Sequence, residues 1–476
     1  MKRTYFLSLL YIIAASVMLQ SCIEDGFSSS ASDQPEFSVD TLQMGQIFTE
    51  NPSTTHRFVV YNRADKGIAI SKISLSGANA PLFRLNVDGF SGREFDNVEI
   101  RANDSIFVFV EATLPANGRN VPVEVTAGLD FLTNGVTRTV TLSAQGRDVE
   151  RLRAVTVTHA MTLTADKPWQ VFDSLVVAPG AVLDIRPGAE LLFHDGASLI
   201  VRGTLRSVGE PGHEITMAGD RTGNVVTDIS FDVMSRQWQG VFFTSTSHDN
   251  VLTHTCVRNT WQGVTINGTD VPAADRPDLT MVNSRLRNAA YCTLEALHAD
   301  VRAYGCEFAE AGQSAVHIQG GSATLQQCTL SNYYLFAAIS GPLLSMAHFN
   351  EASADETGLP FAHIEVANSI LYGLGDDLPR VKLDGTDITL RRCMLKSEGS
   401  DDANFIDCLW KSDPLFYTER EEYLFDYRLK EGSPAIGAGY ASLNAPECAT
   451  DAYGNARGNE PDLGAYVYMP AAEPSK

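Results

Sequence analysis

Acidic side chains offer the most chemistry in this chain. Asp376-Asp377 is closely followed by Arg380-Val381-Lys382, and Asp401-Asp402 closes the run Ser397-Glu-Gly-Ser-Asp-Asp402. Paired carboxyls facing one another across a sugar are what glycoside hydrolysis requires. Removing a proton beside a uronate needs a base, together with Ca²⁺ or arginine to neutralise the sugar acid. Both Asp pairs sit among glycine, serine and charged residues, so solvated loops are expected there. His254, His298, His317 and His348 are scattered singly and read as satisfied strand or loop residues. No Cys-x-x-Cys is present to hold a structural zinc. No catalytic residue, metal ligand or cofactor is expected; Ca²⁺ is compatible with the acidity, but no motif supports it.

Aromatic residues are the next candidates. Trp238 and Trp261 each open the tetrapeptide Trp-Gln-Gly-Val. Side chains so repeated could form a sugar-stacking platform, but a ring just before Gly-Val also suits a packed corner, and packing is the preferred reading. Tyr333, Tyr334 and Phe336 lie in an insertion that continues through Asn350-Glu-Ala-Ser-Ala-Asp-Glu356. Long loops leaving a rigid scaffold are where binding surfaces tend to arise, so these three are the better ligand-binding candidates. A second insertion, from Asn267 to Pro277, is placed on the same face.

The elements that must hold these residues repeat. A small residue, an apolar one two positions on, and a polar or turn-forming one two further recur along the chain. The series is Thr255/Val257/Asn259, Ser284/Leu286/Asn288, Cys306/Phe308/Glu310, Cys328/Leu330/Asn332, Ser369/Leu371/Gly373 and Cys393/Leu395/Ser397. The spacing, about 22–24 residues apart from two insertions, is that of a repeat architecture. Short alternating segments such as Ala315-Val-His-Ile318, separated by Gly, Asn or Ser, predict strands rather than helices.

In this pattern the chain resembles the right-handed parallel β-helix proteins, over roughly residues 150–468. The resemblance implies that Asn259, Asn288 and Asn332 form an Asn ladder at a turn, and that the small residues stack inside. Asn also tolerates the left-handed backbone of a tight corner. Asp376-Asp377 with Arg380-Val-Lys382 resembles two motifs of polygalacturonase-like hydrolases. That family separates them by several rungs with a Gly-His-Gly between, and no Gly-His-Gly occurs here.

Both ends carry further signals. Lys2-Arg3, an apolar run from Tyr5 to Leu19, and Leu19-Gln-Ser-Cys22 have the form of an export signal too short to span a bilayer. Leu-x-Ser-Cys resembles the lipobox of bacterial lipoproteins, which implies lipidation at Cys22. Ile23-Glu-Asp25 resembles the surface-export tag of Bacteroidetes lipoproteins. Residues 36–149 alternate apolar and polar over about seven strands, with an Asn134-Gly135 hairpin signal, as an antiparallel sandwich would. Their order resembles the immunoglobulin-like domains ahead of β-helices in Bacteroidetes surface lipoproteins. Gly432-Ser-Pro-Ala-Ile-Gly-Ala-Gly439 and Pro461-Asp-Leu-Gly-Ala-Tyr466 resemble the terminal segment of bacterial β-helix proteins, which implies a cap.

The expected organisation is all-β: a signal peptide (1–22), a tether (23–35), an immunoglobulin-like antiparallel β-sandwich (36–149), a right-handed parallel β-helix (150–412) and a cap segment (413–476). A net charge of −22 argues against nucleic acid and against unaided binding of uronate polysaccharides, leaving neutral glycan, a surface protein or a bridging Ca²⁺ as partners, with the membrane held through the Cys22 lipid. Besides Cys22, seven cysteines at rung spacing suit buried hydrophobes better than disulfides, Cys408 with Cys448 being the pair to test. The expected function is non-enzymatic: glycan or matrix binding, or a structural role at the outer membrane and cell surface. The alternative is a polysaccharide lyase or glycoside hydrolase with its site in the inserted loops.

Overall fold

The computed structural model describes residues 26–226, 229–268, 276–347, 361–378, 383 and 387–470. Cys22, His348, Arg380, Lys382, residues 350–356 and most of the 267–277 insertion lie outside them. The chain divides into two compact units between Asp148 and Val149.

Two five-stranded sheets make up the first unit. One contains Glu36–Phe37, His56–Tyr61, Ser105–Ala112, Phe83–Val87 and Phe90–Gly92; the other contains Thr41–Phe48, Val136–Arg147, Val123–Thr133, Ile68–Ser76 and Glu94–Ile100. Alternating strands turn Phe58, Val60 and Val108 from one sheet toward Ile70, Leu129 and Phe131 from the other. The hairpin at Asn134-Gly135 forms with both residues at positive φ, 51° and 80°, joining Thr133 to Val136. One pairing departs from an antiparallel design: Thr41–Phe48 runs parallel to Val136–Arg147. Alternation reports which face a strand buries and is silent on strand direction, so this pairing had no sequence signal.

Parallel ladders build the second unit, and in the repeating region each strand pairs with the third strand after it. Asn250–Thr253 pairs with Leu279–Val282, Thr255–Arg258 with Arg285–Ala289, and Val264–Asn267 with Leu294–Leu297. The next trio repeats the arrangement. The result is large parallel sheets, in which the long strand Trp169–Val177 links two ladders by pairing with Glu190–Phe193 at its start and Ser198–Val201 at its end. Inward positions are consistently apolar: Val257, Leu286, Phe308, Leu330, Leu371 and Leu395 are all buried in one core.

Thr255, Ser284, Cys306, Cys328, Ser369 and Cys393 are buried as a column beside that core. They bond along it: Ser284 Oγ accepts from Thr255 N at 3.1 Å, and Ser369 Oγ from Cys328 N at 3.0 Å. Immediately before each stands a residue at positive φ: His254, Asn283, Gly305, Gln327, Asn368 and Arg392. A second positive-φ corner falls at Asn259, Asn288 and Glu310. The seven described cysteines are free thiols, Cys408 and Cys448 included, so the pair singled out for testing is not bonded. Burial pushes the Cys292 and Cys306 thiols up to about 12, which leaves them protonated and inert.

The Asn ladder differs from expectation. Asn259 and Asn288 donate not to one another but to a docked loop: Asn259 Nδ2 to Asp232 O and Met234 O at 2.8 Å, Asn288 Nδ2 to Asp232 O at 2.8 Å. Asn332, which lacks a positive φ, donates to Ala311 O at 2.7 Å and accepts from Tyr334 N at 3.1 Å. The column anchors loops because buried loop carbonyls and amides need partners.

The C-terminal segment also departs from the expected end cap, lying across the outward side of one ladder. Ala465 N donates to Thr329 Oγ1, Tyr440 N to Asn368 Oδ1, and Tyr466 OH to Glu307 Oε2. Its Phe416, Tyr427, Leu429 and Leu463 bury Ala309, Ile370 and Met394, outward residues of three ladder strands that would otherwise meet water. The segment forms no strand among its described residues, and its sequence carries no periodicity that would reveal the direction it takes.

Candidate functional site

One ladder presents two rows of outward side chains. The first runs Thr216, Cys256, Arg285, Glu307, Thr329 and Ile370; the second contains Arg258, Arg287, Ala309 and Ser331. Register therefore brings Cys256 beside Arg285, Arg258 beside Arg287 and Arg285 beside Glu307 as direct neighbours, about 4.8 Å apart. The apolar end of the rows is under the C-terminal segment. The charged end opens into a groove of about 390 Å³, lined among others by Arg258, Arg285, Arg287, Glu310, Asp232 and Phe425.

The charges are unevenly satisfied. Arg287 forks onto the buried Glu307 through Nε and Nη2, the latter at 2.6 Å, and Glu307 also accepts from Tyr466 OH at 2.5 Å. Arg258 pairs with Asp232 at 2.6 Å. Arg285 takes no ion-pair or hydrogen-bond partner among the described residues. Glu310 accepts at Oε1 from Tyr427 OH and Tyr333 N, while its buried Oε2 has no partner. Burial pushes the Glu310 carboxyl up to about 7, against the opposing hydrogen bond from Tyr427.

That shift sets a pH dependence. Folded Glu310 holds its proton up to about pH 7, whereas the unfolded side chain loses it near 4.5. Its contribution is thus intact below about pH 4.5 and is lost as pH rises toward 7, up to about 3 kcal/mol. Glu310→Gln mimics the protonated form. Its stability relative to the parent should be near zero at the acid end and should rise by about that amount above neutrality. Urea unfolding at both ends of the range measures the difference; a gap unchanged with pH would remove the buried, protonated Glu310 from the description.

The residues singled out from sequence fall elsewhere. Trp238 is buried, stacked on Phe193 at 4.0 Å and 8°, with Nε1 donating to Arg258 O at 2.8 Å. No sugar can reach its face. Trp261 is exposed, under the Arg236 guanidinium at 4.8 Å. Tyr334 is buried and bonds Ser235 Oγ at 2.6 Å, while Phe336 is exposed and meets the Tyr334 ring edge-on. Tyr333 is half-buried against Tyr427 and lines a cleft of about 520 Å³ with Leu374 and residues 418–422.

Asp377, Asp401 and Asp402 are taken up by hydrogen bonds within the chain. Asp377 is buried and accepts from Ser397 N at 2.9 Å and from Ser397 Oγ. Asp401 accepts from Trp410 Nε1 at 3.0 Å, which holds it below its ordinary range, and Asp402 from Asn404 N and Phe405 N. His254 and His298 occupy positive-φ corners, and His317 bonds Ser345 Oγ at 2.9 Å. Among the described residues there is no metal-binding cluster of His, Cys, Asp and Glu, and no helix is long and apolar enough to cross a membrane.

No family model matches the chain, and no curated protein does. Similar solved structures include a family 123 glycoside hydrolase from Clostridium perfringens (TM-score 0.18, 9% identity, 24% of this chain and 25% of that one). Others are a PapD-like domain of human CEP192 (TM-score 0.19, 13% identity, 26% and 92%) and a Porphyromonas gingivalis protein of unknown function (TM-score 0.17, 13% identity, 27% and 57%). The chain thus spans about a quarter of the hydrolase. Likenesses at this level carry no argument about activity.

Proposed function

We propose that this is a lipid-anchored surface protein in which a right-handed parallel β-helix follows an immunoglobulin-like sandwich, and that it binds glycan or matrix, or serves as a structural surface component, without catalysis. The observation that carries the reading is the pairing of each repeating strand with the third strand after it, in parallel. Such ladders set outward side chains in straight rows at regular spacing, a geometry matched to an extended polymer. The half-buried Tyr333 in its cleft and the exposed Trp261 and Phe336 supply apolar faces for sugar rings. Asp377, Asp401 and Asp402 are committed to hydrogen bonds within the chain, which supports binding over hydrolysis at those positions. Anchorage rests on the sequence around Cys22 alone.

A second reading, a carbohydrate-active enzyme, is favoured by Glu310, because a carboxyl poised near neutrality beside arginines suits general acid–base work. Incubating the protein with neutral and acidic polysaccharides separates the two. Retention without turnover supports binding; release of reducing or unsaturated ends replaces it with the enzyme reading. Globomycin, which blocks lipoprotein signal cleavage, tests anchorage: processing unaffected by it would exclude lipidation at Cys22.

A further inference from the structure

The groove on the charged rows has a chemistry of its own, independent of any polymer along the ladders. Arg258 is committed to Asp232 and Arg287 to Glu307, so three guanidinium groups face two paired carboxylates. The cation left over is Arg285, which is without an ion pair or hydrogen bond among the described residues. The same groove is lined by Glu310, whose buried Oε2 also lacks a partner. An unpaired guanidinium and an unmatched buried acceptor in one groove can both be satisfied by a single ligand.

We propose that this groove binds a small polyhydroxylated oxyanion, a sugar acid or a sugar phosphate, with the oxyanion on Arg285 and a hydroxyl on Glu310. A guanidinium presents paired N–H donors whose fork matches carboxylate and phosphate oxygens. A hydroxyl both donates and accepts, so it satisfies Glu310 in either protonation state. With Glu310 protonated, the groove holds one excess positive charge (three cations less two anions), set by Arg258, Arg285 and Arg287 against Asp232 and Glu307. The volume, about 390 Å³, lies within the range of small-ligand pockets. The net charge of −22 opposes a long polyanion, but salt screens exposed charges beyond about 8 Å, so a small anion meets chiefly the local arginines.

Titration calorimetry of the full chain at mildly acidic pH, with galacturonate, glucose 6-phosphate and glucose as probes, tests the site. One or both anions should bind and glucose should not; the tighter anion identifies the oxyanion as carboxylate or phosphate. Arg285→Gln should weaken that binding about 10- to 100-fold, as loss of a charge-assisted pair does, with an unchanged urea midpoint. Should that variant fail to fold, Arg285→Lys, which keeps the charge and loses the fork, should show a smaller loss. Absence of anion binding by the parent, equal binding by the folded variant, or equal affinity for glucose would each overturn the proposal. None of these outcomes depends on polysaccharide retention, so the two readings fail separately.

Discussion

Trp238→Ala should destabilise the second unit by about 3–5 kcal/mol, the range for removing a large aromatic from a core, whereas Trp261→Ala should cost about 1 kcal/mol or less. The two residues open identical tetrapeptides, and their backbones meet directly: Trp261 N donates to Trp238 O at 2.7 Å. Their side chains nevertheless have opposite fates. Trp238 is 1% exposed, lies flat on Phe193 and satisfies the carbonyl of Arg258. Alanine there would leave a cavity and a carbonyl without its donor, two penalties that add. Trp261 is 39% exposed and would lose chiefly its contact with Arg236. All four tryptophans (Trp169, Trp238, Trp261 and Trp410) lie beyond Asp148, so their fluorescence during urea unfolding reports on the second unit alone. Equal losses for the two variants would contradict the packing described.

That contrast shows how far the sequence could be read. Ladder register was legible because inward side chains must be small or apolar at the same point of every paired strand, and Thr255/Val257 through Cys393/Leu395 obey this. Corners were legible only where the residue type advertises a left-handed backbone. Asn259 and Asn288 do so; Gln327 and Arg392 adopt it because the surrounding ladder leaves no alternative, and nothing in their chemistry announces it. Two tryptophans in one motif also hid their difference, since burial of Trp238 depends on Phe193, far earlier in the chain.

The groove was the least visible feature. Its arginines are separated by whole repeats, and its far wall comes from a segment more than a hundred residues later: Tyr427 reaches Glu310, and Tyr466 reaches Glu307. One local sign existed. Glu310 stands in the column otherwise held by Asn259, Asn288 and Asn332, and a carboxylate in a buried column of amides needs an explanation. Asp376-Asp377, by contrast, drew attention through adjacency, although adjacent residues on extended chain point to opposite sides. Asp377 is buried against Ser397, so the pair does not work as one.

The glycine of the repeated tetrapeptide leads to the second large effect. Gly263→Ala is expected to cost about 3–5 kcal/mol, enough to rank with loss of the Trp238 ring. Gly263 has φ +75°, and a Cβ there would stand 2.1 Å from Cys292 O and 2.5 Å from Thr293 O. Both atoms are backbone of the neighbouring ladder segment, so relief requires moving that segment, including the bond from Val264 N to Thr293 O at 2.9 Å. Gly212→Ala provides the control, because it has a similar φ of +77° and nothing within 4 Å of the added carbon. It should show only the left-handed penalty, about 1 kcal/mol. The difference between the two variants, read from urea midpoints by tryptophan fluorescence, isolates the steric cost of the close backbone contact between neighbouring ladder segments. If both variants lost the same small amount, the close approach of the Gly263 and Thr293 strands would be wrong. The parallel pairing of Val264–Asn267 with Leu294–Leu297 would then have to be redrawn.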